Sequence, residues 1–146
     1  MILTINQKQR KLNQLRKALK SKNYSIGSWI QLSSPDTTEI MAVSNYDWLT
    51  IDMEHGSMDI SDLPNLIRSI ELSGTIPLVR IPEVNRENCK RALDAGAYGL
   101  VLPMIESADD LKNAIEYSSW PKKGVRGVGY SRANMYGKYF KLFKNF

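Results

Sequence analysis

Apolar positions along the chain recur first at helical spacing and then as alternating strand-like and helical segments. Within 7–22, Leu12, Leu15 and Leu19 are spaced by three and four residues, with basic residues on the other face, which predicts an amphipathic helix. From Ser25 onward, short apolar runs bounded by Gly, Pro and Ser alternate with longer segments of helical period. The predicted strands are 25–32, 47–53, 76–81 and 98–102, and the predicted helices are 36–44, 60–73, 86–95 and 108–118.

Four consecutive strand–helix units predict an α/β fold with a parallel sheet and right-handed crossovers. Two architectures fit this order: a doubly wound open sheet, or part of a (β/α)8 barrel, which needs eight units and typically about 250 residues. We expect one domain over residues 1–146, with a helix at 7–22, four βα units at 25–120, and a glycine-rich loop and basic tail at 121–146.

The charged residues are unevenly distributed, which raises the question of a nucleic-acid partner. The chain has a formal net charge of +5. Segments 1–24 and 121–146 each carry seven basic residues and no acidic residue, and all 15 acidic residues lie between them. No aromatic stacking ladder accompanies the basic residues, so solvated basic surfaces are favoured and nucleic acid is not an expected partner.

The composition also excludes several other classes of protein. No apolar run approaches the roughly 20 residues that a membrane span needs. No apolar segment follows the basic residues near the N-terminus, as a secretory signal would require. The single cysteine, Cys89, excludes a disulfide framework and a multi-cysteine zinc site. We therefore expect a cytoplasmic protein with no membrane partner.

Polar residues cluster where the second and third predicted strands end, and the carboxyl ends of parallel strands share one edge. Asp52 and His55 lie in DMEHG, and Arg80 interrupts the apolar run LVRIP. His55 fits either a general acid/base or a loop histidine bonded to a carboxylate. Arg80 needs an anion, which is either a substrate carboxylate or phosphate, or Asp52 or Glu54 in an internal salt bridge.

Three carboxylates and a glycine-rich segment are weaker indications of a functional site. Asp52, Glu54 and Glu106 could bind a divalent metal through oxygen, but Glu106 also fits a first-turn helix acid beside Ser107 as the N-cap. The segment GVRGVG at 124–129 lacks the residue order of a nucleotide-binding loop, so a nucleotide site is not expected. Its glycines predict a close approach of backbone to the mouth of the sheet.

Four segments of the chain together carry a family resemblance. They are DWLTIDMEHG at 47–56, PLVRIPEVN at 77–85, ALDAGAYGLVLPMIESADD at 92–110 and PKKGVRGVGYSRANMYG at 121–137. In this order and spacing they resemble the HpcH/HpaI aldolases, which act on 2-keto-3-deoxy sugar acids and hydroxy-oxo-diacids and belong to the phosphoenolpyruvate/pyruvate superfamily. The resemblance runs from about residue 10 to about residue 137. It implies a TIM-type (β/α)8 barrel whose floor is closed by the N-terminal helix.

The resemblance implies a metal-dependent (class II) aldolase, a carbon–carbon lyase that uses a divalent cation of the Mg, Mn or Co type. Such an enzyme reversibly cleaves a 4-hydroxy-2-oxo acid into pyruvate, or a similar 2-oxo acid, and an aldehyde. His55 then matches the catalytic acid/base, Asp52 the acid that orients it, and Arg80 the catalytic arginine that binds the pyruvate carboxylate and stabilises the enolate. Arg126 and Gly127 match the glycine-rich loop, with Gly127 a candidate substrate contact.

The chain departs from the family pattern at the metal site. The family's glutamate and aspartate ligands lie on strands five and six, which would start after about residue 145, so we assign no metal ligand. We expect one of two cases. The chain is the N-terminal half of an aldolase, or it is a truncated, non-catalytic relic or a half-barrel that needs a partner chain. The first and fourth strands would be open edges, which predicts a homo-oligomer or a complementary half-barrel. We expect these 146 residues alone to bind metal weakly and to show little aldolase activity.

Overall fold

The computed structural model describes residues 5–21 and 23–140 and contains a four-stranded parallel sheet in the order β1-β2-β3-β4. The strands are β1 (Gly27–Ile30), β2 (Trp48–Asp52), β3 (Ile76–Arg80) and β4 (Gly99–Val101). The helices are α1 (Ile5–Lys20), α2 (Pro35–Ala42), α3 (Leu63–Leu72), α4 (Arg86–Ala95) and α5 (Ala108–Ser118), with a 3-10 turn at Arg132–Asn134. The predicted order of four βα units is confirmed. Residue 22 of the predicted first helix and residues 141–146 of the predicted tail lie outside the described residues.

Helix α3 begins at Leu63, three residues later than the hydrophobic period predicts. Pro64 occupies the first turn of α3, where its missing N–H is not needed. Before it, the Asp62 carboxylate accepts from the backbone N–H of Asp59 at 2.8 Å, and the Asp62 N–H bonds back to the Asp59 carbonyl. These two bonds close a turn over 59–62, so the apolar residue Ile60 lies before the helix rather than in it.

The two faces of the sheet differ in what covers them. Ile30, Leu49, Ile51 and Val79 belong to the buried core, which also contains residues of α2, α3 and α4. Because side chains alternate along a strand, the residues between them point away from those helices. That second face carries polar groups at the carboxyl ends of β2 and β3, and it positions the site described below.

Helix α1 is joined to the amino end of the sheet by polar contacts as well as by Leu15, which is buried. Lys8 Nζ donates to Glu71 Oε1 at 2.7 Å, and Lys11 Nζ donates to the Gly74 carbonyl. Glu71 also accepts from Arg132 Nη2. Burial alone would raise the pKa of Glu71, but the bonds from Arg132 and Lys8 outweigh it and lower the pKa. In the part of the chain that the structure describes, no helix has the length and hydropathy to cross a membrane.

Candidate functional site

The side chains of Asp52 and Arg80 meet at the carboxyl ends of β2 and β3, where the strand register places them opposite each other. Arg80 Nε donates to Asp52 Oδ1 at 2.9 Å, and Arg80 Nη2 donates to Asp52 Oδ2 at 2.6 Å. The Asp52 side chain is 0% exposed, whereas that of Arg80 is 21% exposed. The internal salt bridge that the sequence left open for Arg80 is therefore formed, on the face of the sheet away from the helices.

Asp52 accepts hydrogen bonds at both carboxylate oxygens. Besides Arg80, its Oδ1 accepts from the backbone N–H groups of Glu54 and His55 at 3.1 and 3.2 Å, and its Oδ2 accepts from Gln31 Nε2 at 2.9 Å. The bonds from Arg80 lower the pKa of Asp52 far below its usual range, against the opposing effect of burial, and those from Gln31 and the two backbone groups lower it further. Asp52 is thus a charged acceptor at neutral pH.

The guanidinium of Arg80 keeps donors that this pairing does not use. Arginine has five N–H donors, and the two bonds to Asp52 take one on Nε and one on Nη2. Glu54 Oε2 lies 3.3 Å from the same Nε, and the Trp29 ring centroid lies 4.5 Å from the guanidinium carbon. Among the residues that the structure describes, both N–H groups on Nη1 and one on Nη2 have no acceptor. They form a planar fork that can bind a carboxylate.

His55 lies in the loop that follows β2, with 65% of its side chain exposed. Its Nε2 is 3.8 Å from Glu54 Oε2. Asp52 bonds the backbone N–H of His55 rather than the imidazole, so Asp52 fixes the loop and Glu54 is the carboxylate beside the ring. A Cβ at Gly56 would lie 2.2 Å from the Asp52 carbonyl oxygen. Glycine therefore allows the chain to turn this closely after the strand.

Glu106 stands apart from this group. It is exposed, and its backbone N–H donates to Asp110 Oδ2 at 3.2 Å. The next residue, Ser107, is the N-cap of α5, and its Oγ accepts from the Asp110 N–H at 3.1 Å in a capping box. The interpretation of Glu106 as an acid beside a helix cap is therefore the one that the structure supports.

The glycine-rich segment 124–129 lies against α4 and the end of α5. It runs along α4, where Arg86 Nη2 donates to a carbonyl of the segment at 2.8 Å. Arg126 is 7% exposed and donates to Asp94 Oδ1 at 2.5 Å, near the opposite end of α4. Because the buried Arg126 charge needs this partner, the segment is held on α4. A Cβ at Gly127 would lie 3.8 Å from the side chain of α4 residue Lys90, and the contact of Gly127 with substrate stays a prediction.

Two residues of this site, Trp29 and Gln31, were missed by sequence reasoning. They are two residues apart at the end of β1, so they lie on one face of the strand. Their sequence, SWIQL, carries a usable signal, because its carboxyl end must share an edge with those of β2 and β3. Neither residue type suggests chemistry alone, and only the register shows that they meet Asp52 and Arg80.

Comparison with known proteins finds similar sequences among aldolases. The family model for HpcH/HpaI aldolase/citrate lyase matches residues 25–139. The 5-keto-4-deoxy-D-glucarate aldolases of Salmonella paratyphi A and Escherichia coli O139:H28 are each 36% identical over 126 residues, covering 86% of this chain and 49% of the relative. The chain thus spans about half the length of the curated relatives it matches.

Solved structures of similar proteins match at the level of the fold as well. A HpcH/HpaI aldolase/citrate lyase family protein from Burkholderia cenocepacia superposes with a TM-score of 0.82 and 35% identity, over 90% of this chain and 55% of that one. A HpcH/HpaI aldolase from Desulfitobacterium hafniense superposes with a TM-score of 0.75 and 27% identity, over 90% of this chain and 52% of that one. The four βα units therefore correspond to a partial barrel of this kind.

Proposed function

Because the chain belongs to the HpcH/HpaI aldolase/citrate lyase family, we propose that it supplies the carboxylate-binding and proton-transferring side of an aldolase site. The proposed reaction is the reversible cleavage of a 4-hydroxy-2-oxo acid into pyruvate, or a similar 2-oxo acid, and an aldehyde. The substrate named for the curated relatives, 5-keto-4-deoxy-D-glucarate, is a keto sugar acid. That name supports a substrate with both a carboxylate and an oxo group.

The observation that carries the proposal is the Arg80 fork. Two of its N–H groups are held by the buried carboxylate of Asp52, which fixes the guanidinium plane before any ligand binds. A planar fork of N–H groups matches a carboxylate with two parallel hydrogen bonds. Since the fork is already oriented, binding loses less conformational entropy than it would on a mobile arginine. The carboxylate and adjacent oxo oxygen of a 2-oxo acid are suited to such a site.

In the cleavage direction, a base removes the proton of the 4-hydroxyl group and the C3–C4 bond breaks. The bonding electron pair becomes the enolate of the 2-oxo acid, the aldehyde departs, and C3 then takes up a proton. We assign these proton transfers to His55, which is exposed in the loop after β2, next to the strand end where Arg80 lies. The positive charge of Arg80 stabilises the negative charge that develops on the oxo oxygen.

The divalent cation implied by the family does not fit the carboxylates at this edge. The oxygens of Asp52 already accept five N–H groups, more than the roughly four lone-pair sites of a carboxylate. Within residues 5–21 and 23–140, no three His, Cys, Asp or Glu side chains are grouped so as to hold a metal ion. We therefore expect the cation's ligands to come from outside the described residues, and no step above depends on them.

We also propose that the sheet is completed by a second copy of the chain or by a complementary half-barrel. Among the described strands, β1 pairs only with β2, and β4 pairs only with β3. Apolar side chains are exposed beside both edges: Ile26 is 56% exposed before β1, and Met104 is 78% exposed after β4. Sedimentation velocity on the purified chain should show an associated species, and a monomer at every concentration tested would contradict self-association.

Calorimetric titration with oxalate and pyruvate tests the carboxylate site. We expect saturable binding by the wild-type chain and at least a tenfold loss of affinity in Arg80→Gln, because the variant lacks the charged fork. Arg68→Gln is the matched control, since Arg68 is exposed on α3 and bonds Asn65 at 2.7 Å. Equal oxalate binding by the wild type and Arg80→Gln would refute the proposed function.

A further inference from the structure

We infer that Gln31 is a positioning residue that holds the Arg80 fork in its carboxylate-binding plane by acting through Asp52. The inference takes its ligand class from the proposed function, whereas the geometry it describes is a property of the free protein. Gln31 directly follows β1 and lies in one row with Asp52 of β2 and Arg80 of β3. Ile30 pairs with Ile51, so Gln31 is level with Asp52, which pairs with Arg80.

The two oxygens of Asp52 are held very differently. Oδ1 accepts from Arg80 Nε and from two backbone N–H groups, those of Glu54 and His55 in the loop after β2. Within the described part of the chain, Oδ2 accepts from two side chains, Arg80 Nη2 at 2.6 Å and Gln31 Nε2 at 2.9 Å. With Oδ1 fixed, the position of Oδ2 sets the plane of the carboxylate and hence that of the guanidinium.

Gln31 is the only group besides Arg80 itself, among the described residues, that donates to Oδ2. Without its amide, Oδ2 is held by Arg80 Nη2 alone, and the carboxylate is less restrained against rotation about the Cβ–Cγ bond. Trp29, two residues earlier on β1, stacks against the guanidinium at 4.5 Å and limits its movement on that side. The end of β1 therefore orients the fork, although neither residue is among those that the family resemblance assigns.

The test compares Gln31→Met with Gln9→Met. Methionine keeps nearly the length of glutamine and removes the N–H donor. Gln9 is an exposed residue of α1 that bonds Asn13 at 3.0 Å, so the same replacement there leaves the site untouched. Gln31 is also exposed, so we expect both variants to fold with the thermal midpoint of the wild type. The signals to follow are the Nε–H resonance of Arg80 in the free protein, assigned with Arg80→Gln, and the oxalate dissociation constant.

In Gln31→Met we expect the Arg80 Nε–H to exchange with water about three to ten times faster, and oxalate to bind about fivefold more weakly. Gln9→Met should change neither quantity. An unchanged exchange rate in Gln31→Met would overturn the inference, and unchanged oxalate affinity beside normal wild-type binding would overturn it too. Faster exchange in a protein whose wild type binds no oxalate would uphold the positioning role while refuting the proposed function.

Discussion

Replacing Asp52 with asparagine removes one negative charge at almost constant volume and should destabilise the fold. The side chain is 0% exposed and lies against donors on every side. Asparagine can keep one oxygen against the backbone N–H groups of Glu54 and His55. Its amide nitrogen then faces Arg80 Nη2 and Gln31 Nε2, which are also donors. The bond from Arg80 Nη2 is lost, Gln31 must turn its amide to offer Oε1 in place of Nε2, and Arg80 is left without its main counter-charge.

The size of the effect follows from the burial of the two partners. Removing one partner of a fully buried ion pair costs about 3–5 kcal/mol. Arg80 is 21% exposed, so water retains part of its hydration, and we expect Asp52→Asn to lower the free energy of unfolding by about 2–3 kcal/mol at neutral pH. Asp109→Asn is the control, because the Asp109 side chain is 81% exposed. It should stay within about 0.5 kcal/mol of the wild type.

The difference between wild type and Asp52→Asn should also depend on pH. The pKa of Asp52 is lowered in the folded state by the Arg80 bonds, so its stabilising contribution is present in full above the unfolded-state pKa of about 3.9. The contribution is lost as the pH falls below that value toward the folded-state pKa. Urea unfolding followed by circular dichroism at several pH values measures both effects. Equal stability at neutral pH, or a gap that stays constant into the acid range, would refute this account of the pair.

Three further predictions concern the frame and the metal. Ser107→Ala removes the oxygen that caps α5 and should lower the free energy of unfolding by about 1 kcal/mol in urea titrations; no loss would show that the cap is not used in solution. Gly96→Ala places a Cβ at a backbone φ of 111°, 2.6 Å from Arg132 Nη1, and should cost about 1–3 kcal/mol. Gly129→Ala, with no atom within 4 Å, should be near neutral, and equal effects of the two substitutions would contradict this packing. Titration of the chain with Mn²⁺ should show no tight site, whereas saturable tight binding would mean that described carboxylates rearrange around the ion.

The order of elements could be predicted from the sequence because its signals are local. Gly96, at a φ of 111°, ends α4 at the predicted residue. Ser107 is the N-cap of α5, as the sequence also indicates. The start of α3 could not be placed, because a hydrogen-bonded turn at 59–62 competes with the helical period at Ile60. Boundaries of this kind depend on side-chain bonds that periodicity does not encode.

The site was predictable in part, for a similar reason. The parallel order of the strands was enough to bring Asp52 and Arg80 to one edge, since the carboxyl ends coincide. The sequence could not show that Asp52 bonds the backbone of His55 instead of its ring. Nor could it show the contribution of Gln31, because strand register is a tertiary property. The contact between the buried Arg126 and Asp94 on α4 could not be predicted either, because the two residues are not adjacent in sequence.

The proposed function requires that the Arg80 fork, held by Asp52, binds the carboxylate of a 2-oxo acid. Its most direct test is a pyruvate titration of the ¹⁵N-arginine-labelled chain, followed through the guanidinium resonances. We expect a saturable shift of the Arg80 signals, with those of Arg68 and Arg91 unchanged, because these two lie exposed on α3 and α4. An absent shift, or one of equal size and no saturation at all three arginines, would contradict it.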